Sequence, residues 1–263
     1  MVKSSSANPL LGTIFANSPH RDFPSTDSTN KHAMKAASEG APEGSVFTAD
    51  EQTAGRGRGD HAWHSPAGQG LYVSIVLRPQ LAPNDVLWLS LIAGLAVQAA
   101  IKEVTTIAVD LRWPNDIMLG GKKLGGILTE LGTESGRISH AVIGIGLNIN
   151  HPQFPTQLAA LATSLRIETD REWPREEILS ALLRAIDREY RALVSSPAAT
   201  RDIIRRFEQA SSYARGARVA VDDHGTAQFT GVTDGLDARG FLRVRTNEGM
   251  RTVMSGGVRK IQG

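Results

Sequence analysis

Apolar positions recur with a helical period from Pro174 to Val194, and the segment opens with a proline and a pair of glutamates. Proline fits the first turn of a helix, and acidic groups there complement its dipole, so this stretch predicts an amphipathic helix. A second helix is expected from Asn84 to Glu103, whose apolar run from Val86 to Ile101 is broken only by Ser90 and Gln98. That run is short for a bilayer and reads as a buried core helix. A third helix should start after Asp27 or Ser28, either of which can cap it, and stop before Gly40. Ala199 to Ala210 predicts a shorter one.

Period-two and continuous apolar runs mark strands at Ser45–Asp50, Leu71–Leu77, Ile107–Arg112, Lys123–Glu130 and Ala141–Ile149. Between the first two lies Thr53–Gly70, rich in glycine and charge and without apolar period, hence a long loop. Loops of that length inside a compact domain are commonly functional. From Arg215 onward the pattern becomes short strands separated by turn signals such as Asp222-Asp223-His224-Gly225, Asp234-Gly235 and Gly256-Gly257, which predicts a small all-β barrel. The expected division is a frayed start over residues 1–12, a mixed α/β domain over 13–212, and a β domain over 213–263.

Composition narrows this frame. The 263 residues are 41% hydrophobic and 21% charged, ordinary for a globular protein with a large core. With no cysteine there is no disulfide, thiolate metal site or thiol nucleophile, which fits a reducing, cytoplasmic setting. The first residues lack a basic patch followed by an apolar run, so no export signal is expected. Net charge is only +2, yet residues 201–263 hold 11 Lys/Arg against 7 Asp/Glu. Such a tail could meet an acidic partner or nucleic acid, or could simply be solvated.

Four segments carry candidate chemistry. Gln52-Thr53-Ala54-Gly55-Arg56-Gly57-Arg58-Gly59 interleaves glycines, which let backbone N–H groups approach a ligand, with two fork-shaped cationic donors suited to phosphate or carboxylate. No Gly-Lys-Ser/Thr follows, so it is not a Walker loop; a flexible basic loop or an RGG-like nucleic-acid contact would share its spacing. Arg112-Trp113-Pro114-Asn115-Asp116 ends a strand and places an amide and a carboxylate at a sheet edge, where α/β proteins often bind ligands. Asp116 is a candidate Mg²⁺ ligand, and Lys123 heads an apolar strand beside Gly125-Gly126. Gly144-Ile145-Gly146-Leu147-Asn148 reads as a strand entering a pocket or as a tightly packed core strand. Ser28-Thr29-Asn30 sits at a helix start, where capping is the first explanation of the motif taken alone. His61 and His64 have no third ligand at a recognisable spacing and read as solvated.

In that order, Ser28-Thr29-Asn30, QTAGRGRG, GLYVSIVLRP, RWPNDIM, KKLGGILTE and GIGLNIN resemble the biotin–protein ligase family, and GVTDGLDARGFLRV with SGGVRKI resembles its C-terminal SH3-like domain. The resemblance covers roughly residues 20 to 262. It implies a mixed-sheet catalytic domain of the class II synthetase kind followed by a small barrel. The implied activity is ATP-dependent formation of biotinyl-5′-AMP and transfer of biotin to a lysine of a carboxyl carrier protein, with Mg²⁺. By resemblance, Ser28, Thr29 and Gln52 hydrogen-bond the ureido ring of biotin, and Asn30 belongs to the same biotin site. Arg56, Gly57, Arg58, Lys123, Gly126, Gly144 and Gly146 form the rest of it. Gly55, Arg56, Arg58, Trp63, Asn115, Asp116 and Asn148 are implied on the adenylate side, and Lys123 and Arg58 are the implied catalytic pair.

Two departures qualify the likeness. The chain leaves no room for an N-terminal helix-turn-helix, so the monofunctional type is expected, with no DNA contact, no membrane and a homodimer as an option. Asp60-His61-Ala62 also stands where a further Gly-Arg pair usually precedes Trp63. The alternatives are a lipoate or octanoate ligase, which shares the core, and a basic nucleic-acid-binding protein.

Overall fold

The computed structural model describes residues 9–59, 61–196, 198–222 and 228–261. Asp60 and most of the Asp222–Gly225 turn therefore lie outside the described residues, as do residues 1–8 of the expected frayed start. Residues 9–12 are not loose. Leu10 packs into the core, and the Gly12 carbonyl accepts from Arg191 Nη2 at 3.1 Å.

One seven-stranded sheet organises the larger part of the chain. Its strands are β1 (His20–Phe23), β2 (Val46–Ala49), β3 (Gly70–Leu77), β4 (Asp110–Arg112), β5 (Asp116–Leu119), β6 (Lys122–Glu134) and β7 (Arg137–Asn148). They lie in the order β1-β2-β3-β7-β6-β5-β4. The β1–β2 pair is parallel and every other neighbouring pair antiparallel, giving the expected mixed sheet.

Alternation along the central strands explains the two faces. Leu71, Val73, Ile75 and Leu77 of β3 join Ile143, Ile145 and Leu147 of β7 in the main core, with α2 (Leu87–Thr105) and α5 (Arg175–Ser195). Burying each such side chain contributes about 1.5–3 kcal/mol. α2 is long and apolar enough to cross a membrane, but Leu89, Leu91, Ile92, Val97 and Ile101 are fully enclosed in this core. On the opposite face, Val76 and Val142 pack beneath Ala33 and Ala37 of α1 (Thr29–Ser38). Gly144 and Gly146 continue that face beyond the end of α1 and leave it hollow.

Two short helices, α3 (Thr156–Ala159) and α4 (Leu165–Thr169), follow β7, and α6 (Ala199–Gln209) follows α5. Arg206 of α6 donates to both carboxylate oxygens of the buried Glu189, each at 2.8 Å, which fixes α6 on α5.

The C-terminal part is a five-stranded antiparallel sheet of β8 (Arg215–Asp222), β9 (Phe229–Leu236), β10 (Leu242–Thr246), β11 (Gly249–Val253) and β12 (Gly257–Lys260), in the order β11-β10-β9-β8-β12. Leu242, Val244 and Val253 belong to the same apolar cluster as α2. Trp113, buried between the two parts, donates from Nε1 to the Gly240 carbonyl at 3.0 Å. The two parts thus share one continuous core.

Candidate functional site

A cleft opens on the hollow face where the start of α1, the Gln52–Ser65 loop, β6 and β7 meet. Ser28, Thr29, Asn30, Gln52, Arg56, Gly57, Arg58, Trp63, Asn115, Lys123, Gly126, Gly144 and Gly146 all line it. Thirteen of the residues named from sequence, drawn from five separate segments, therefore share one cavity. Gly55, Asp116 and Asn148 stand behind its wall.

At the α1 end, Ser28 occupies the N-cap position but its hydroxyl makes no capping bond. The Asp27 carboxylate accepts from the Ser28 N–H instead, at 2.8 Å. Gln52 takes over the first exposed helical donor: its Oε1 accepts from the Thr29 N–H at 2.9 Å. Its Nε2 donates to Ser65 Oγ at 3.0 Å, so the side chain is held at both ends. The capping explanation of Ser28-Thr29-Asn30 gives way to one in which buried hydroxyls and amides face a cavity.

The loop over the cleft is folded back on itself. Arg56 bridges Ala62, the Gly57 N–H donates to the His61 carbonyl at 2.7 Å, and the Trp63 N–H donates to the Gly55 carbonyl at 2.8 Å. Gly55 is needed for this closure, because a Cβ there would sit 2.6 Å from the Trp63 carbonyl oxygen. Trp63 lies across the glycine floor: a Cβ on Gly146 would come within 2.4 Å of its Nε1, and Lys123 Nζ stands 5.5 Å from its ring centroid. That Nε1 is buried without a hydrogen-bond partner among the described residues. Gly144 serves differently, since its missing Cβ is the space filled by the Asn30 amide, at 2.0 Å.

The cations reach the cleft from both sides, each held by its own partner. Lys123 Nζ is 2.5 Å from Asp116 Oδ1, while Arg112 donates to Oδ2 of the same carboxylate from Nε at 3.0 Å and from Nη2 at 2.5 Å. Burial works to raise the Asp116 pKa, but Lys123 and Arg112 outweigh it and hold the group below the usual carboxylate range. Arg58 donates from Nη1 to Asn115 Oδ1 at 3.2 Å and to the Gly256 carbonyl at 3.3 Å, tying the loop to the β11–β12 turn. Burial lowers its pKa, and Asp116 opposes that shift.

Four expectations change. Arg56 lines the same cavity as Arg58 and Lys123, but its Nη1 is already paired with Glu130 Oε1 at 3.3 Å. Asp116 does not fit a primary Mg²⁺ ligand, because both of its oxygens are committed to cations. Among the described residues no cluster of three His, Cys, Asp or Glu could hold a metal ion. Asn148 does not face the cavity; its Nδ2 donates to the Thr163 carbonyl at 3.0 Å beneath the segment that pairs with Lys123. His64 is not simply solvated either, for it lies against His151, ring centroids 5.9 Å apart.

Sequence reading overlooked Glu130, Ser74 and Tyr72. Tyr72 lines the cleft, while Ser74 and Glu130 connect behind it to Asn30. Each lies in an apolar strand, and only the period-two alternation that puts them on the hollow face could have marked them.

The fold and this cleft define the biotin/lipoate class of protein ligases. Residues 23–148 match the biotin/lipoate A/B protein ligase family, and residues 216–260 match the biotin protein ligase C-terminal domain. The chain is 37% identical over 233 residues to the bifunctional ligase/repressor BirA of Bacillus subtilis, covering 87% of this chain and 70% of that protein. It is 33% identical over 235 residues to the biotin–[acetyl-CoA-carboxylase] ligase of Mycobacterium tuberculosis, covering 87% and 83%. A biotin protein ligase from Aquifex aeolicus, solved with biotin and ATP, superposes with a TM-score of 0.79 at 29% identity, covering 93% of this chain and 99% of that one. The chain belongs to the biotin protein ligase family.

Proposed function

We propose that this protein activates biotin with ATP as biotinyl-5′-AMP, releasing pyrophosphate, and transfers the biotinyl group to a lysine of a biotin carboxyl carrier domain, releasing AMP. The observation that carries this reading is the polarity of the cleft. Neutral hydrogen-bonding groups, Thr29 and Gln52, stand at one end, cations from two segments, Arg58 and Lys123, line it with them, and a glycine floor lies below.

Such a cavity suits a ligand with a neutral cyclic urea, an apolar body and a carboxylate tail. Activation brings that carboxylate against the α-phosphate of ATP. Positive groups fixed in advance offset the repulsion and stabilise charge building on the phosphoryl oxygens. Lys123, steadied by Asp116, would meet the carboxyl–phosphate junction, and Arg58, steadied by Asn115 and Gly256, would hold the adenylate. Ser28, Thr29 and Gln52 would hold the ureido ring, and Trp63 would wall the anhydride from water. Magnesium enters with the nucleotide's phosphates as part of the substrate. In the second step the carrier's lysine amine attacks the acyl carbon, with AMP as leaving group and no enzyme-bound acyl group.

The nucleic-acid alternative finds less support. Arg215, Arg243 and Arg245 of the C-terminal sheet converge on Asp234 at 3.3–3.6 Å, so these three guanidinium groups already face a carboxylate. The test is to incubate the protein with ATP, Mg²⁺, biotin and a carrier domain and weigh the carrier. A gain of one biotinyl group is expected; an unmodified carrier, or preferential addition of lipoate, would overturn the reading.

A further inference from the structure

We propose that Tyr213 is a positioning residue whose ring holds the Arg112 guanidinium to one oxygen of Asp116, leaving the other oxygen to Lys123. This rests on the ligase reading of the cleft, in which Lys123 supplies the catalytic ammonium.

β4, which carries Arg112, is the last strand of the seven-stranded sheet. The segment from Ala210 to Tyr213, between α6 and β8, is fastened along it. The Leu111 N–H donates to the Ala210 carbonyl at 3.0 Å, Ser211 Oγ donates to the Leu111 carbonyl at 2.5 Å, and the Ser212 N–H donates to Asp110 Oδ1 at 2.8 Å. Lys260 of β12 ties the same segment to the C-terminal sheet, donating from Nζ to Ser212 Oγ at 2.6 Å. Tyr213 is thereby buried beside Arg112. Arg112 Cζ stands 5.9 Å from its ring centroid and Lys260 Nζ 4.4 Å, both within the range at which an aromatic face attracts a cation.

The ion-pair geometry gives that contact its consequence. A guanidinium facing a carboxylate favours a fork, with one donor on each oxygen. Arg112 departs from it. Its Nε and Nη2 both donate to Oδ2, at 3.0 and 2.5 Å, while Oδ1 faces Lys123 Nζ at 2.5 Å. A small turn of the guanidinium towards the fork would put a donor on Oδ1 and displace the ammonium. Asp116 and Arg112 side chains are only 15% and 20% exposed, so little solvent reaches the carboxylate and two cations contend for Oδ1. Attraction to the Tyr213 ring opposes the turn. Tyr213 does not line the cleft; it acts on Lys123 through Arg112 and Asp116.

The experiment reads single-turnover pyrophosphate release, and the KM values for biotin and ATP, in Tyr213→Phe and Tyr213→Leu, each with Asp116 intact and in an Asp116→Asn background. Tyr213→Phe keeps the ring and should stay within about twofold of its parent. Tyr213→Leu removes it and should slow adenylate formation about tenfold, the scale of a slightly misplaced reacting group, with both KM values near wild type. In the Asp116→Asn background no carboxylate is left to contest, so Tyr213→Leu should change the rate by no more than about twofold, as coupled sites do. A merely structural role would carry the same loss into both backgrounds. Should the leucine variant not fold, Tyr213→Met reads the same contact. Equal losses in the two backgrounds, an unchanged rate without the ring, or a phenylalanine variant as slow as the leucine one would overturn the proposal. A wild-type protein that forms no biotinyl adenylate would sink the ligase reading itself.

Discussion

Lys123 and Asp116 face each other across the β5–β6 hairpin with 2.5 Å between Nζ and Oδ1, and Arg112 closes the other side of the same carboxylate. The pair keeps the ammonium at the cleft wall before any substrate arrives, so no reorganisation is needed when negative charge develops there. Lys123→Ala should nearly abolish adenylate formation, a loss on the order of 3–4 kcal/mol in transition-state stabilisation. Asp116→Asn should keep the fold but lower the rate by roughly tenfold to a hundredfold, since a neutral amide steadies Lys123 less well. Pyrophosphate release in single turnover checks both. A near-normal rate in the lysine variant would remove Lys123 from the chemistry.

Arg58 makes a different prediction, because its two acceptors belong to different parts of the chain. Held by Asn115 and by the Gly256 carbonyl, it links the roof loop to the C-terminal sheet. Arg58→Ala should loosen retention of the intermediate, raising the dissociation rate of biotinyl-5′-AMP by about tenfold or more, the scale of a lost charged hydrogen bond. Stopped-flow release of the adenylate measures this directly. An unchanged off-rate would count against placing Arg58 on the adenylate.

What the sequence made legible follows from periodicity and order. α5, β3 and β7 carry strong patterns, and the segments that converge on the cleft do so because strand alternation brings Gly126, Gly144 and Gly146 to one face. β1 and β5, four residues each, are too short for a period to register. The alternating Arg56 and Arg58 suggested a common target, but the loop pairs Arg56 with Ala62 and turns it to Glu130, a partner 74 positions along the chain and invisible to local spacing. Glu130 ends an apolar run and so reads as a solvated charge. Asn148 shares the alternation of the floor glycines, yet a segment from beyond β7 covers it, and no pattern within the strand announces that cover.

The glycine floor itself is testable at Gly144, where a Cβ would lie 2.0 Å from Asn30 Oδ1. Gly144→Ala should displace Asn30, costing about 1–3 kcal/mol from overpacking and lowering Tm by roughly 2–10 °C. The biotin KM should rise with it. Gly257→Ala, whose Cβ meets nothing within 4 Å, serves as the stability control. Thermal melts of both variants decide it: equal Tm values would show that Asn30 does not depend on the space above Gly144.

His151 offers a pH test away from the cleft. Its ring is fully buried, stacked on Phe154 at 4.9 Å between centroids, with neither nitrogen bonded among the described residues. Burial, and secondarily the charge on His64, push its pKa from about 6.5 down to about 4. Between those values the unfolded chain binds a proton that the folded protein refuses. Stability therefore falls as pH drops through that window, by at most about 1.4 kcal/mol per pH unit, and levels off below about pH 4, where both states are protonated. His151→Phe keeps an aromatic ring in the stack and removes the titrating group. Urea midpoints from pH 7 to 4 should then decline less steeply in the variant, and parallel curves for the two proteins would show that His151 is protonated in the native state after all.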